Sequence, residues 1–243
     1  PEATVNRKQY YLNKKSAEAT MGITLVPALS ENCNNLGFVE AGYLLKLIDI
    51  VGVVPGFRHC EGKNLFVTAS MDRMNFINPI QAWDFIKITS RITKVFRHSM
   101  EVQVQVAAWG YRRGESYEVP VATAYLIYVA LDQNCSKTSA VRQKVSIPHL
   151  IPTSIDDYHL AHQASIRKKN RIEESETAPY HPIQEEDQPY LSQLTCPVTH
   201  KETNISGNVF GGVTLELITL LNQQVYLEQK NLLCLIFVQE QEG

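Results

Sequence analysis

The sequence predicts an α+β domain in which a long antiparallel sheet wraps around one buried helix. Three observations carry this. A helical run near residue 45 is apolar on most of its circumference, as a helix in the middle of a fold is. After it the apolar period changes to two, and four strand-like runs follow. Only that one helix interrupts the strands, so a doubly wound parallel sheet is excluded.

The elements follow in order. Residues 1–20 are polar and read as an arm outside the core. Ile23 to Ala28 reads as a strand, and Asn32 to Gly37, with three asparagines and a glycine, as a turn. Phe38 to Gly52 carries apolar residues at 41, 44, 45, 48 and 51, which is helical spacing, and more at 43, 47 and 50. Pro55 and Gly56 are expected to end that helix. Strands are predicted at Leu65–Ser70, Asp84–Phe96, Met100–Trp109 and Ala122–Leu131, with a turn from Tyr111 to Glu118 around Gly114. Ser154 is a good N-cap, with Asp156 and Asp157 in the first turn. The helix it opens runs to about Ser175 and has a basic end, Arg167-Lys168-Lys169 and Arg171. Thr177 to Pro189 is acidic, holds three prolines and reads as a linker.

Composition narrows the function. The chain has 243 residues, 44% apolar and 20% charged, an ordinary globular balance. A net charge of −2 without a basic face excludes a nucleic acid partner. The five cysteines (33, 60, 135, 196, 234) are odd in number and form no CxxC, which excludes a disulfide scaffold or zinc ribbon. They predict reduced thiols in an intracellular setting. No apolar run reaches the ~18 residues of a membrane span, and the N-terminal stretch has no signal-peptide core. His59 and His98 lack partners at metal spacing, so no metal is expected. There is no GxSxG, which disfavours a serine hydrolase. Cys60 reads as a core thiol.

An internal repeat appears at an offset of 170. Asn34, Gly37, Val39, Gly42, Leu45, Leu47 and Ile48 meet the same residue types at 204, 207, 209, 212, 215, 217 and 218, seven identities in fifteen positions. Asp49 has no such match, because Thr219 stands opposite it. The first copy needs about 130 residues, whereas 243 − 190 = 53 remain for the second. The expected organisation is a first module at 21–150, a linker helix and Pro-rich linker at 151–190, and a partial second module at 191–243, limited to its strand and central helix.

A set of ordered strings goes further: Leu36-Gly37-Phe38-Val39, Leu45-Lys46-Leu47-Ile48-Asp49, Arg58-His59-Cys60, Val67-Thr68-Ala69-Ser70-x-Asp72-x-x-Asn75-Phe76, Pro79-Ile80, Ser99-Met100-Glu101-Val102 and Asn204-x-x-Gly207-Asn208-Val209-Phe210-Gly211-Gly212. Together they resemble the double-hotdog acyl-CoA thioesterases, over about residues 22–219. The resemblance implies a hotdog fold, one complete module plus a truncated second, and hydrolysis of acyl-CoA to free fatty acid and coenzyme A. Coenzyme A is then part of the substrate and product, and no separate cofactor is expected. It also implies Asp49 as general base or nucleophile and Asn204 as the residue orienting water or thioester. Gly211 and Gly212, with Asn34 and Gly42, are the expected oxyanion and positioning residues; Arg58, Thr68, Ser70 and Arg97 are candidates for coenzyme A contact.

Residue chemistry alone leaves other readings open. Asp49 lies on one helix side with Gly42 and Lys46, as on a solvated stripe, and the asparagines suit turns. Arg97 and the basic helix end suit solvated surfaces as well as phosphate contacts. A non-catalytic acyl-CoA binder or inactive truncated form is the alternative function. A dehydratase acting on acyl thioesters ranks last, since it needs a His–acid pair that His59 is badly placed to give. An incomplete second module leaves a sheet edge to cover, which predicts a homo-oligomer. The expected location is cytoplasmic or the mitochondrial matrix.

Overall fold

The computed structural model describes residues 15–72, 74–112, 114–133, 143–177, 191–192, 194–203, 209–228 and 233–234. Its elements are α1 (Ala17–Thr20), β1 (Gly22–Pro27), α2 (Ala41–Gly52), α3 (Val54–His59), β2 (Asn64–Met71), β3 (Phe85–Val95), β4 (Ser99–Arg112), β5 (Glu115–Asp132), α4 (Ile155–Thr177), β6 (Leu191–Ser192), α5 (Gly211–Glu228) and β7 (Leu233–Cys234).

Five of the strands form one antiparallel sheet in the order β1-β3-β4-β5-β2. Alternation decides its faces. Ile86, Ile88, Val102, Val104, Val106, Ala124, Leu126 and Ala130 point inward and are buried against α2, which contributes Leu44, Ile48 and Val51. Two hydroxyls tie the helix to the sheet: Ser90 Oγ donates to the Val51 carbonyl at 2.9 Å, and Tyr128 Oη to the Asp49 carbonyl at 2.9 Å.

Several boundaries differ from the sequence reading for local reasons. The part of the polar arm at 17–20 is the short helix α1, capped by Ser16, with Ala17 and Thr20 buried. The central helix α2 does end just before Pro55 and Gly56, as expected, but these two residues do not begin a loop. They open α3, where proline suits the first turn because its missing N–H has no intrahelical partner there. The broad turn expected from Tyr111 to Glu118 is tight. Arg112 pairs with Glu115 and Gly114 takes φ +87°, so β4 and β5 run through most of the expected turn. Pro120 is tolerated inside β5 because the register shifts there, and β2 pairs only with Leu126 to Asp132.

The outer face of the sheet is covered by α4, which makes that helix more than a connection. Ser154 Oγ accepts from Asp157 N at 3.1 Å, and Asp157 Oδ2 accepts in return from Ser154 N at 3.2 Å. That reciprocal cap fixes where α4 starts. Glu101, outward by alternation, is wholly buried beneath the helix. Its carboxylate takes Arg167 at 2.7 Å, Arg171 at 3.4 Å and Thr93 Oγ1 at 2.7 Å. Arg171 also grips Asp72 at 2.7 Å, just past the end of β2. Two arginines of the basic helix end are therefore committed to the protein's own carboxylates. The linker positions 178–190 lie outside the described residues.

Candidate active site

The helix side carrying Gly42, Lys46 and Asp49 faces α5, not water. The contact joins positions that the repeat makes equivalent. Lys46 Nζ pairs with Glu216 Oε2 at 2.8 Å, and these two residues are 170 apart. A Cβ built on Gly42 would meet Glu216 Cα and Thr219 Cβ, each at 3.3 Å. A Cβ on Gly212 would meet Lys46 Cα at 2.8 Å, Lys46 O at 2.9 Å and Asp49 Cβ at 3.0 Å. Glycine at 212 thus lets the start of α5 lie directly on α2.

That close approach builds the site. Asp49 is only 2% exposed, which settles its solvated-stripe reading against it. Its Oδ2 accepts the Gly212 N–H at 2.8 Å, and its Oδ1 accepts Thr68 Oγ1 at 2.5 Å, with Tyr128 Oη at 3.4 Å. The N-terminus of α5 points at the carboxylate, where the helix dipole favours negative charge. Burial nevertheless raises the Asp49 carboxyl above its ordinary value, while the bonds from Thr68, Gly212 and Tyr128 pull it back. Burial, then the charge of Asp49, push the Tyr128 phenol well up, so it stays a neutral donor.

Asp49 opens onto a cavity of about 670 Å³. Ile50, Val53, Phe57, Leu65, Phe66 and Leu131 give it apolar walls, and Thr68 to Met71 and Val209 to Gly211 form its other sides. Phe57 and Phe66 pack edge to face with centroids 5.6 Å apart. The arrangement is a basic carboxylate, held at both oxygens, at the side of an apolar pocket. Each oxygen has two lone pairs, so the carboxylate can still accept a water and take its proton.

Of the expected site residues, the structure joins Asp49, Thr68, Gly211 and Gly212, with Ser70 further along the same wall. Thr68 holds the carboxylate, a more central place than coenzyme A contact. Gly212 N–H is taken by Asp49, so as an oxyanion donor it is corrected to a positioning group. Asn34 and Gly42 do not reach this pocket. Asn34 Oδ1 accepts from Leu36 N at 3.0 Å and Phe38 N at 3.1 Å, closing its own turn. Gly42 lies at the Thr219 end of the helix contact. Arg58 turns away and donates to the Met21 carbonyl. Arg97 is exposed on the β3–β4 hairpin, its carbonyl accepting from Ile147 N at 3.1 Å. Asn204 lies outside the described residues. His59 is buried with Nε2 on the Pro148 carbonyl at 2.7 Å and has no acid partner among the described residues. Burial lifts the Cys60 thiol to about 11, as suits a core residue. Tyr128 is the member that sequence reasoning missed; its place in the alternation with Leu126 and Ala130 is the signal that puts it on the helix side.

Comparison with known proteins decides the family. Residues 36–108 match the Thioesterase superfamily. An uncharacterized acyl-CoA thioester hydrolase of Bacillus subtilis (strain 168), YkhA, is 32% identical over 146 residues, which are 59% of this chain and 78% of that protein. The chain belongs to the acyl-CoA thioester hydrolases. The human cytosolic acyl coenzyme A thioester hydrolase is 32% identical over 126 residues, 52% of this chain but 31% of that protein. This thioester hydrolase chain therefore matches most of its bacterial relative and about a third of the human one. A crystal structure of an acyl-CoA hydrolase from Bacillus cereus superposes with TM-score 0.58 at 25% identity, covering 68% of this chain and 94% of that one. The sheet curled around α2 is the hotdog fold.

Proposed function

We propose that the protein hydrolyses acyl-CoA thioesters to the free acid and coenzyme A, with Asp49 as general base. The observation that carries this is the Asp49 carboxylate, buried at the side of an apolar cavity and held by Thr68 and the Gly212 N–H. Asp49 takes a proton from water as the water oxygen attacks the thioester carbonyl carbon. The carbonyl π electrons move to oxygen, and the Gly211 N–H at the start of α5, beside the pocket, faces the growing charge. Collapse breaks the carbon–sulfur bond. The thiolate leaves with the electron pair and is reprotonated from Asp49. Burial, by raising the carboxyl pKa, makes Asp49 a stronger base than an exposed aspartate.

The acyl chain occupies the pocket between Phe57 and Leu131, where each buried methylene contributes about 0.8 kcal/mol. Asn204, at the repeat position just before α5, is the proposed water- or thioester-orienting residue. Residues 191–243 are read as the opening of a second module that serves the Asp49 site. Its own counterpart of Asp49 is Thr219, which cannot act as a base. The intact Asp49 arrangement argues against the non-catalytic alternative. Both edge strands support self-association: β1 is a sheet edge with Ile23 64% and Leu25 49% exposed, and β2 borders the pocket as the other edge. Sizing chromatography should show a homo-oligomer; a monodisperse monomer contradicts that. Cys33, Cys60 and Cys196 are free thiols, in keeping with the cytoplasm or mitochondrial matrix. No helix among the described residues is long and apolar enough to cross a membrane. The direct test is thiol release from an acyl-CoA series followed with a thiol reagent. Turnover of at least one member is expected, and none across all chain lengths contradicts the reading.

A further inference from the structure

Thr68 and Tyr128 stand directly opposite each other on the neighbouring strands β2 and β5. Both side chains turn to the helix side, so two hydroxyls from one cross-strand pair meet the same residue of α2. Thr68 Oγ1 donates to Asp49 Oδ1 at 2.5 Å. Tyr128 Oη has two acceptors, both on Asp49: the main-chain carbonyl at 2.9 Å and Oδ1 at 3.4 Å. It carries one proton and can turn it to either. Gly52 makes the room. A Cβ built there would run into Tyr128 Oη and lie 3.2 Å from Val104 Cγ2, so glycine is what lets the buried phenol reach the end of α2.

The two carboxylate oxygens are therefore unequal. Each has two lone pairs. Oδ1 is filled when the Thr68 and Tyr128 hydroxyls both point to it. Oδ2 has a single donor among the described residues, the Gly212 N–H at 2.8 Å, and keeps one lone pair. Lys46 of α2 and Glu216 of α5, the charged side chains at the helix contact, pair with each other at 2.8 Å. The carboxylate is left to two hydroxyls and one backbone N–H. Burial raises the carboxyl, and the bonds from Thr68, Gly212 and Tyr128, in that order, pull it down.

We infer that Tyr128 is a positioning residue that, with Thr68, occupies Oδ1 and leaves Oδ2 as the oxygen that takes the proton from water. The inference rests on the acyl-CoA hydrolysis reading. It adds which oxygen of Asp49 is the base and what keeps the other from that role. While Asp49 is ionised, the negative oxygen is the stronger acceptor and draws the phenol proton to Oδ1. When Oδ2 bonds the proton from water, the charge is gone and the phenol proton returns to the Asp49 carbonyl. The water oxygen keeps the electron pair of the broken O–H bond and forms its new bond to the thioester carbon with it. Tyr128 exchanges no proton with the substrate and stays neutral.

The test compares Tyr128→Phe with Ser90→Ala. Each removes one sheet hydroxyl from a carbonyl in the last turn of α2, but only Tyr128 also reaches the carboxylate. The first readout is the titration midpoint of the Asp49 carboxyl carbon, followed by NMR in substrate-free protein with isotope-labelled aspartate and assigned by its loss in Asp49→Asn. The second is kcat and KM from thiol release. Tyr128→Phe should move the midpoint to higher pH and lower the plateau kcat roughly fivefold, with KM within about twofold. Ser90→Ala should leave the midpoint in place. Tyr128→fluorotyrosine keeps the ring and makes the hydroxyl a stronger donor, so its midpoint should move to lower pH; it decides the matter where Tyr128→Phe does not fold. An unmoved midpoint in a folded Tyr128 variant, an equal shift in Ser90→Ala, or an unchanged plateau kcat in Tyr128→Phe overturns the inference. A midpoint that answers to Tyr128 in a protein that releases no thiol from any acyl-CoA keeps the Tyr128 bond to Oδ1 and refutes the hydrolase reading instead.

Discussion

Gly212→Ala puts a methyl group against the backbone of α2, and the structure sets the size of its effect. The new carbon would lie 2.8 Å from Lys46 Cα and 2.9 Å from Lys46 O. Neither neighbour is a flexible side-chain end, so the two helices must move apart by several tenths of an ångström. Overpacking of this kind costs about 1–3 kcal/mol, offset in part by the ~1 kcal/mol that alanine gains over glycine in a helix. The separation also lengthens the Gly212 N–H bond to Asp49. Misplacing a catalytic group by about 1 Å lowers turnover by roughly 100-fold, so a shift of about half that should lower it by roughly tenfold, or about 1.4 kcal/mol of barrier. The repeat supplies the control. Gly42→Ala lies at the equivalent place in the same helix pair, where the nearest atoms are at 3.3 Å and the residue opposite is Thr219. It should leave kcat within about threefold, a difference near 0.6 kcal/mol. The assay is thiol release at saturating acyl-CoA, beside urea denaturation of both variants. Equal kcat in the two variants, at any stability, refutes the idea that the α5 N-terminus serves only the Asp49 side.

Other outcomes follow from the same geometry. Thr68→Ala removes a donor that favours the ionised carboxylate; the Asp49 pKa should rise further, and the acid limb of the kcat–pH profile should move to higher pH. An unmoved limb contradicts Asp49 as the titrating base. Arg167→Ala leaves buried Glu101 with the Thr93 hydroxyl at 2.7 Å and, of its two arginines, only Arg171 at 3.4 Å. Truncating a charged hydrogen-bond partner costs about 1–3 kcal/mol, visible as a lower urea midpoint. Phe57→Ala deepens the acyl pocket and should shift the best chain length upward in an acyl-CoA series.

Much of this was written in local patterns, and some was not. Alternation in β3 and β4 and the greasy circumference of α2 fixed the central layer, because both faces of that helix are covered. The same patterns misled where a face was covered by something distant in sequence. Glu101 reads as solvent-facing from its period, yet α4 buries it. Gly42, Lys46 and Asp49 read as a possible wet stripe, yet α5, some 170 residues on, lies against them. Period reports which residues share a face, not what will cover it. Turn chemistry was ambiguous for a related reason: Pro55 both stops one helix and starts the next. In the site, Asp49 and Gly212 were legible through the broken repeat, in which Thr219 stands against Asp49. The place of Thr68 beside Asp49 was not, since alternation puts Thr68 on the inner face with Phe66 but does not say which helix residue it meets.

The most direct measurement of the central claim is kcat of Asp49→Asn together with its stability. The amide fits the same place, its oxygen accepting from Gly212 N–H and its nitrogen donating to Thr68 Oγ1. Because burial raises the folded carboxyl above 3.8, the stability this group contributes is fullest below the unfolded pKa. It is lost as pH rises through the folded value. Neutralising the side chain should therefore keep or raise the unfolding midpoint at pH 7 while thiol release falls about 10²–10⁴-fold. A folded Asp49→Asn protein that hydrolyses acyl-CoA at the unaltered rate contradicts the account.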